Sequence, residues 1–291
     1  MDRKIADLYD EYLHTPMGRR NFMHRLTVLT GSVAAATATL SLLESNQAHA
    51  DQIPENDPRL SISSINIPGP AGDVMAYMAR PVGTEKLPAV IVLHANRGLW
   101  PHFKDIARRV ALNGFIAIAP DMLSRAGGTP ESDNSRSPEG DAALAALAKL
   151  KTEDLEKDLV AVVSFLKSSP RTTGKVGSIG FCWGGGHSLS LAVNSPQLDA
   201  AVAFYGSPPE TGYEKINAPI LGNYAADDPR LVASLPGFIS NMEKNAKPYE
   251  LYIYPGTKHA FNQDNRPDRY KKEAADLAWS RTIGFFKKHL T

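Results

Sequence analysis

The chain has 291 residues, 43% hydrophobic and 22% charged, which is the composition of an ordinary globular protein. Its formal net charge is +1, from 32 basic and 31 acidic residues, so neither nucleic acid nor an anionic membrane is expected as a partner. A single cysteine, Cys182, excludes an intrachain disulfide.

In chain order, residues 1–50 read as a removable export signal. Gly18-Arg19-Arg20-Asn21-Phe22-Met23 precedes a modestly apolar stretch over 26–43, and Ala48-His49-Ala50 is a small-x-small site suited to signal peptidase. The arginine pair before a bulky apolar residue resembles a twin-arginine (Tat) signal. This predicts a precursor handled by the Tat export machinery and cleaved after Ala50. The mature protein would be periplasmic or secreted, with no stable membrane anchor. An exported protein that keeps one thiol is expected to use it.

Residues 51–60 form a polar lead-in, and 61–291 are expected to make one α/β domain. Segments 61–67 and 73–79 flank Pro68-Gly69-Pro70-Ala71-Gly72 and predict an antiparallel hairpin. The unbroken apolar run 89–93 predicts a strand buried on both faces, and 115–119 another. Between them 103–113 has helical period and stops at Asn113-Gly114. Residues 124–141 are rich in Gly, Pro and Ser, and read as a loop and candidate lid. Beyond it, helices are expected over 152–166, 184–193, 231–245 and 269–289, with strands over 175–181, 200–204, 219–223 and 249–254. Such alternation implies a mostly parallel central sheet, helices on both faces, and the opening hairpin as an antiparallel edge.

Gly180-Phe181-Cys182-Trp183-Gly184 falls where a predicted strand turns into a helix. This is the G-x-S-x-G nucleophile elbow of the α/β-hydrolase fold, with Cys in place of Ser. Glycines two residues either side relieve a turn that holds the nucleophile in strained dihedrals. The sulfur is aimed at a helix N-terminus, whose dipole and free N–H groups favour a thiolate. Taken alone, such a turn is as consistent with glycines placed for packing around an inert thiol. The strand–turn–helix context, the solitary cysteine and the downstream partners favour chemistry. Asp227-Asp228 end a predicted strand and His259 follows another, so nucleophile, acid and histidine come in the chain order of this fold. His259 would take or hold the thiol proton, and an acid would orient it, Asp228 preferred with Asp227 as the alternative. His94 reads as a satisfied core residue, and no cluster has metal-ligand spacing. No cofactor is expected.

Gly-Phe-Cys-Trp-Gly-Gly-Gly at 180–186, Asp-Asp-Pro-Arg-Leu at 227–231 and Gly-Thr-Lys-His-Ala-Phe at 256–261 together resemble the dienelactone hydrolase (carboxymethylenebutenolidase) family, and its Tat-exported members in particular. The likeness includes His94-Ala-Asn-Arg-Gly-Leu99, Ala119-Pro-Asp121 and Asp276-Leu-Ala-Trp279. It implies Cys182, Asp228 and His259 as a triad that cleaves a small ester or lactone through a thioacyl-enzyme. It also implies an oxyanion hole from the backbone N–H groups of Trp183 and Asn96, and substrate contacts from Arg97, Ala95 and Arg125. Two departures stand out. Ala95 occupies the place of a family Glu that holds the resting thiol, so either Cys182 and His259 are permanently paired or the enzyme is weakened. In the second case the chain would be a hydrolase-fold binding protein. A second family arginine, four residues after His259, is here Gln263.

Overall fold

The computed structural model describes residues 3–14, 17–45, 52–132 and 135–291. Strands β1 (Leu60–Gly69) and β2 (Gly72–Pro81) form the expected hairpin, with Leu60 opposite Pro81 and Gly69 opposite Gly72. The next strands are β3 (Leu87–Leu93), β4 (Ile116–Pro120), β5 (Thr172–Phe181), β6 (Ala200–Phe204), β7 (Ile220–Ala225) and β8 (Tyr249–Tyr254). All eight join one sheet in the order β1-β2-β4-β3-β5-β6-β7-β8. The hairpin runs antiparallel at one edge, and from β4 to β8 every neighbouring pair is parallel.

The apolar run of β3 explains its place. Alternate side chains leave a strand on opposite faces. Val90 and Val92 enter one core with Phe103, Ala107 and Phe286, while Ala89, Ile91 and Leu93 enter the other with Leu159, Val163 and Leu189. A strand with no polar face must be covered twice. Helices α4 (Pro101–Leu112) and α9 (Lys272–Leu290) supply the first cover, α6 (Thr152–Ser168) and α7 (Trp183–Asn194) the second. Helix α8 (Pro229–Lys244) flanks β7 and starts at Asp228, whose carboxylate accepts from the Leu231 N–H at 3.5 Å. Because β3 to β8 run parallel, their C-terminal ends open onto one side of the sheet.

One segment differs from expectation. The loop over 124–141 is cut short by α5 (Pro138–Leu147), with Ser137 as N-cap and Pro138 in the first turn. Gly140 is no breaker: a Cβ there would overlap the Ser135 carbonyl, so the position needs glycine for close approach. Near the N-terminus, the segment read as an export signal forms three helices, α1 (Arg3–His14), α2 (Arg19–Thr30) and α3 (Val33–Ser45). They enclose their own apolar cluster, including Leu8, Tyr9, Tyr12, Phe22, Leu26 and Leu40, and the Tyr12 ring stacks on Phe22 at 4.3 Å. The expected cleavage site, Ala48-His49-Ala50, lies outside the described residues. Among the described residues no helix is long and apolar enough to cross a membrane.

Candidate active site

The turn between β5 and α7 has the geometry its sequence demands. Cys182 sits at φ 56° and ψ −114°, a left-handed conformation that costs a non-glycine residue. It persists because both sides are fixed: the Cys182 N–H donates to the Phe204 carbonyl at 3.0 Å, and its carbonyl accepts from Gly186 N–H at 3.2 Å. A Cβ on Gly180 would overlap the Gly184 carbonyl oxygen, and one on Gly184 would overlap the carbonyls of Leu93 and His94. Sterics therefore select glycine on both sides of Cys182.

From the ends of neighbouring strands come the partners. Asp228, after β7, accepts from His259 Nδ1 at 2.6 Å, which leaves the ring's other nitrogen for the thiol of Cys182. Asp227 instead uses its backbone N–H on the Thr257 carbonyl at 2.9 Å. Burial works against charge on each member, and the partners more than offset it. Burial pushes the Cys182 thiol up, yet the charge and hydrogen bond of His259, the Trp183 backbone N–H and Arg230 bring it below the ordinary thiol value. Burial pushes His259 down, but the facing thiolate and the Asp228 carboxylate raise it to about 9. For Asp228 the same balance ends below the usual carboxylate range. A thiol lowered and an imidazole raised by each other, with a carboxylate on the far ring nitrogen, is an arrangement that favours proton transfer from sulfur to nitrogen.

Around the sulfur lies a cavity of about 60 Å³. Ala95, Asn96 and Arg97 of the loop after β3 line it beside Cys182 and His259. Among the described residues of that lining, no acidic side chain takes the place of Ala95. Arg97 is buried and ion-paired with Asp141 at 2.7 Å. Arg125 is elsewhere: both ends of its guanidinium are held by Asp158, at 2.7 and 2.8 Å, and it does not reach the cavity. Its neighbourhood is set by the packing of α6, which the sequence does not reveal. Gln263 does line the cavity.

Four cavity or near-cavity residues escaped the sequence reading. Arg136 and Arg266 are both buried in the lining, and burial together with their mutual repulsion holds Arg136 down at about 9. His102, at the start of α4, lines the cavity with its Nδ1 3.3 Å from Asp264, while its Nε2 has no hydrogen-bond partner among the described residues. Tyr205 follows β6 at φ 40°, its ring 4.7 Å from that of His259. Each lacks a local motif; only Tyr205, at a strand's C-terminal end, carries a positional hint. His94 is wholly buried and neutral: Nδ1 donates to the Ala95 carbonyl at 2.7 Å, Nε2 accepts from Met122 N–H at 3.0 Å, and the ring stacks on Trp183 at 5.7 Å.

Comparison with known proteins agrees with this architecture. A carboxymethylenebutenolidase-like protein of Saccharolobus solfataricus is 35% identical over 245 residues, covering 74% of this chain and 94% of its own. A similarly described protein of Methylorubrum extorquens is 28% identical over 298 residues, covering 98% of this chain and 97% of its own. The crystal structure of a dienelactone hydrolase-like protein from Klebsiella pneumoniae superposes with a TM-score of 0.70 at 28% identity, over 79% of this chain and 99% of that one. The model of the dienelactone hydrolase family matches residues 74–290. With an elbow, an acid and a histidine converging at the open side of an α/β-hydrolase sheet, and with these relatives, the chain belongs to the dienelactone hydrolase family of ester and lactone hydrolases.

Proposed function

We propose that the protein hydrolyses a small ester or lactone through Cys182, with His259 and Asp228 as its triad partners. One observation carries the reading: His259 bridges Asp228 at 2.6 Å and the thiol of Cys182, with the thiol lowered and the imidazole raised. The thiolate attacks the acyl carbon, and the carbonyl oxygen gains the electron pair. The backbone N–H groups of Trp183 and Asn96 are suited to receive that charge, and loss of one such donor typically costs roughly a hundredfold or more. Collapse expels the alkoxide, which takes a proton from the His259 imidazolium and leaves a thioester on Cys182. Neutral His259 then draws a proton from water, whose oxygen attacks the thioester. The acid departs and the thiolate is restored.

Ala95 fits this scheme, because the ion pair forms without an acidic side chain at that position. Arg97, Arg136 and Arg266 line the cavity and suit a reactant whose developing charge is negative. Export by the twin-arginine route, with cleavage after Ala50, is part of the same reading and rests on the residues of the N-terminal segment.

The test is covalent. Incubation with p-nitrophenyl acetate should place an acetyl group on Cys182, seen by peptide mass spectrometry, with turnover of the ester. His259→Ala should lose both. A wild-type chain that neither acylates nor turns over would mark a hydrolase fold used for binding instead.

A further inference from the structure

The cavity at Cys182 is about 60 Å³, well below the roughly 300–1,000 Å³ of ordinary small-molecule sites. Two of its lining residues, Arg97 and Arg136, are held in place by helix α1. The guanidinium carbon of Arg97 stands 5.4 Å from the ring centroid of Tyr12, and that of Arg136 stands 5.4 Å from Tyr9. Arg136 donates to the Tyr9 hydroxyl at 3.2 Å. Tyr12 donates to Asp141 at 2.8 Å, the same carboxylate that pairs with Arg97 at 2.7 Å. Backbone contacts add to these: Arg97 reaches the Tyr12 carbonyl at 3.5 Å, and Arg19, one of the twin arginines, donates to the Arg136 carbonyl at 3.2 Å. Both tyrosines are buried, at 1% and 0% exposure.

An export address is read by a receptor and needs no such fit to the domain behind it. Similarity to the Methylorubrum extorquens protein over 98% of this chain takes in most of these helices too. We propose that helices α1–α3 are a cover built onto the Cys182 cavity, seated by Tyr9 on Arg136 and by Tyr12 on Arg97, which admits small reactants and excludes bulky ones. The cover is a specificity determinant for the reaction proposed above, and it rests on that reading only for the chemistry it screens. Its two anchoring arginines are themselves cavity lining, so release of α1 widens the cavity as well as uncovering it. Removal of the segment on export would leave Arg97 and Arg136 facing the reactant, and precursor and mature chain would then accept different substrates.

Cys182 is the sole thiol of the chain, so labelling reports access to the cavity without requiring turnover. Labelling rates with iodoacetamide and with fluorescein maleimide are compared in full-length wild type, Tyr9→Ala/Tyr12→Ala, Tyr9→Phe/Tyr12→Phe and Asp141→Ala. In the alanine pair the maleimide rate should rise about tenfold or more and the iodoacetamide rate by less than about twofold, as expected when two desolvated cation–π contacts no longer favour the closed state. The phenylalanine pair keeps both rings but loses the two hydroxyl hydrogen bonds, and its maleimide rate should fall between wild type and the alanine pair. Asp141→Ala, outside the N-terminal helices, should raise the maleimide rate in the same direction. Equal maleimide rates in all four chains overturn the proposal. So does a joint rise of both reagents in the alanine pair, which would report a loosened fold. Absence of ester turnover beside the expected labelling pattern would sink the triad and leave the cover standing.

Discussion

At the scale of single residues, the site is governed by how one imidazole divides its bonds. His259 has a raised pKa, so its proton is kept up to about pH 9 and lost above it. The Cys182 thiol is lowered, so the thiolate persists below the ordinary range near pH 8.5. The two shifts together open a window for the ion pair that begins below the ordinary thiol range and closes near pH 9. Alkylation of Cys182 should accordingly have its midpoint below the ordinary thiol range, and in His259→Ala that midpoint should move upward, since only the Trp183 N–H and Arg230 then oppose burial. A midpoint that stays put in the variant would show that His259 does not set the thiolate. Asp228→Asn separates the acid's two duties. Asparagine caps a helix as well as aspartate does, so α8 should survive and Tm should change little. The imidazole loses its brace, and kcat for p-nitrophenyl acetate should drop by roughly 10³–10⁴.

Among elements, the connections after the strands decide what reaches the sulfur. The loop after β4 is tied down rather than free: the Asp121 carboxylate accepts from the N–H of Leu123 at 2.9 Å and of Thr129 at 2.6 Å, and from the Thr129 hydroxyl at 2.9 Å. Arg125 leaves this loop toward α6 and pairs with buried Asp158. Its task is then to join two elements, not to hold substrate. Arg125→Ala should lower stability by roughly 3 kcal/mol, because it strands a buried carboxylate, while KM for p-nitrophenyl acetate is unchanged. Urea denaturation and initial rates on the same preparation check both halves. A raised KM with unaltered stability would reverse the assignment.

For the whole molecule, the parallel sheet carries the rigid part of the site and the N-terminal helices carry an added layer. The sheet strands are tied by continuous ladders across two cores, whereas α1–α3 meet the body through side-chain contacts such as Tyr12 with Asp141. Native-state hydrogen exchange should therefore show α1–α3 opening at lower free energy than β3 and β5, as a unit of its own. Exchange of α1–α3 only on global unfolding would mean that the helices are integral to the fold. Much of this architecture was legible in the chain. Period-2 and period-3.6 patterns mark most strands and helices, because local burial dictates them. The elbow motif, and the chain order of Cys182, the Asp227-Asp228 pair and His259, mark the site, because tight turns and strand ends constrain residue type locally. Tertiary structure alone put Asp228, and not Asp227, in hydrogen-bond contact with His259. It alone sent Arg125 to Asp158, gathered Arg136, Arg266 and His102 at the cavity, and folded helix α1 against Arg97 and Arg136. These are contacts between residues remote in the chain, set by how helices pack on the sheet, and no local spacing encodes them.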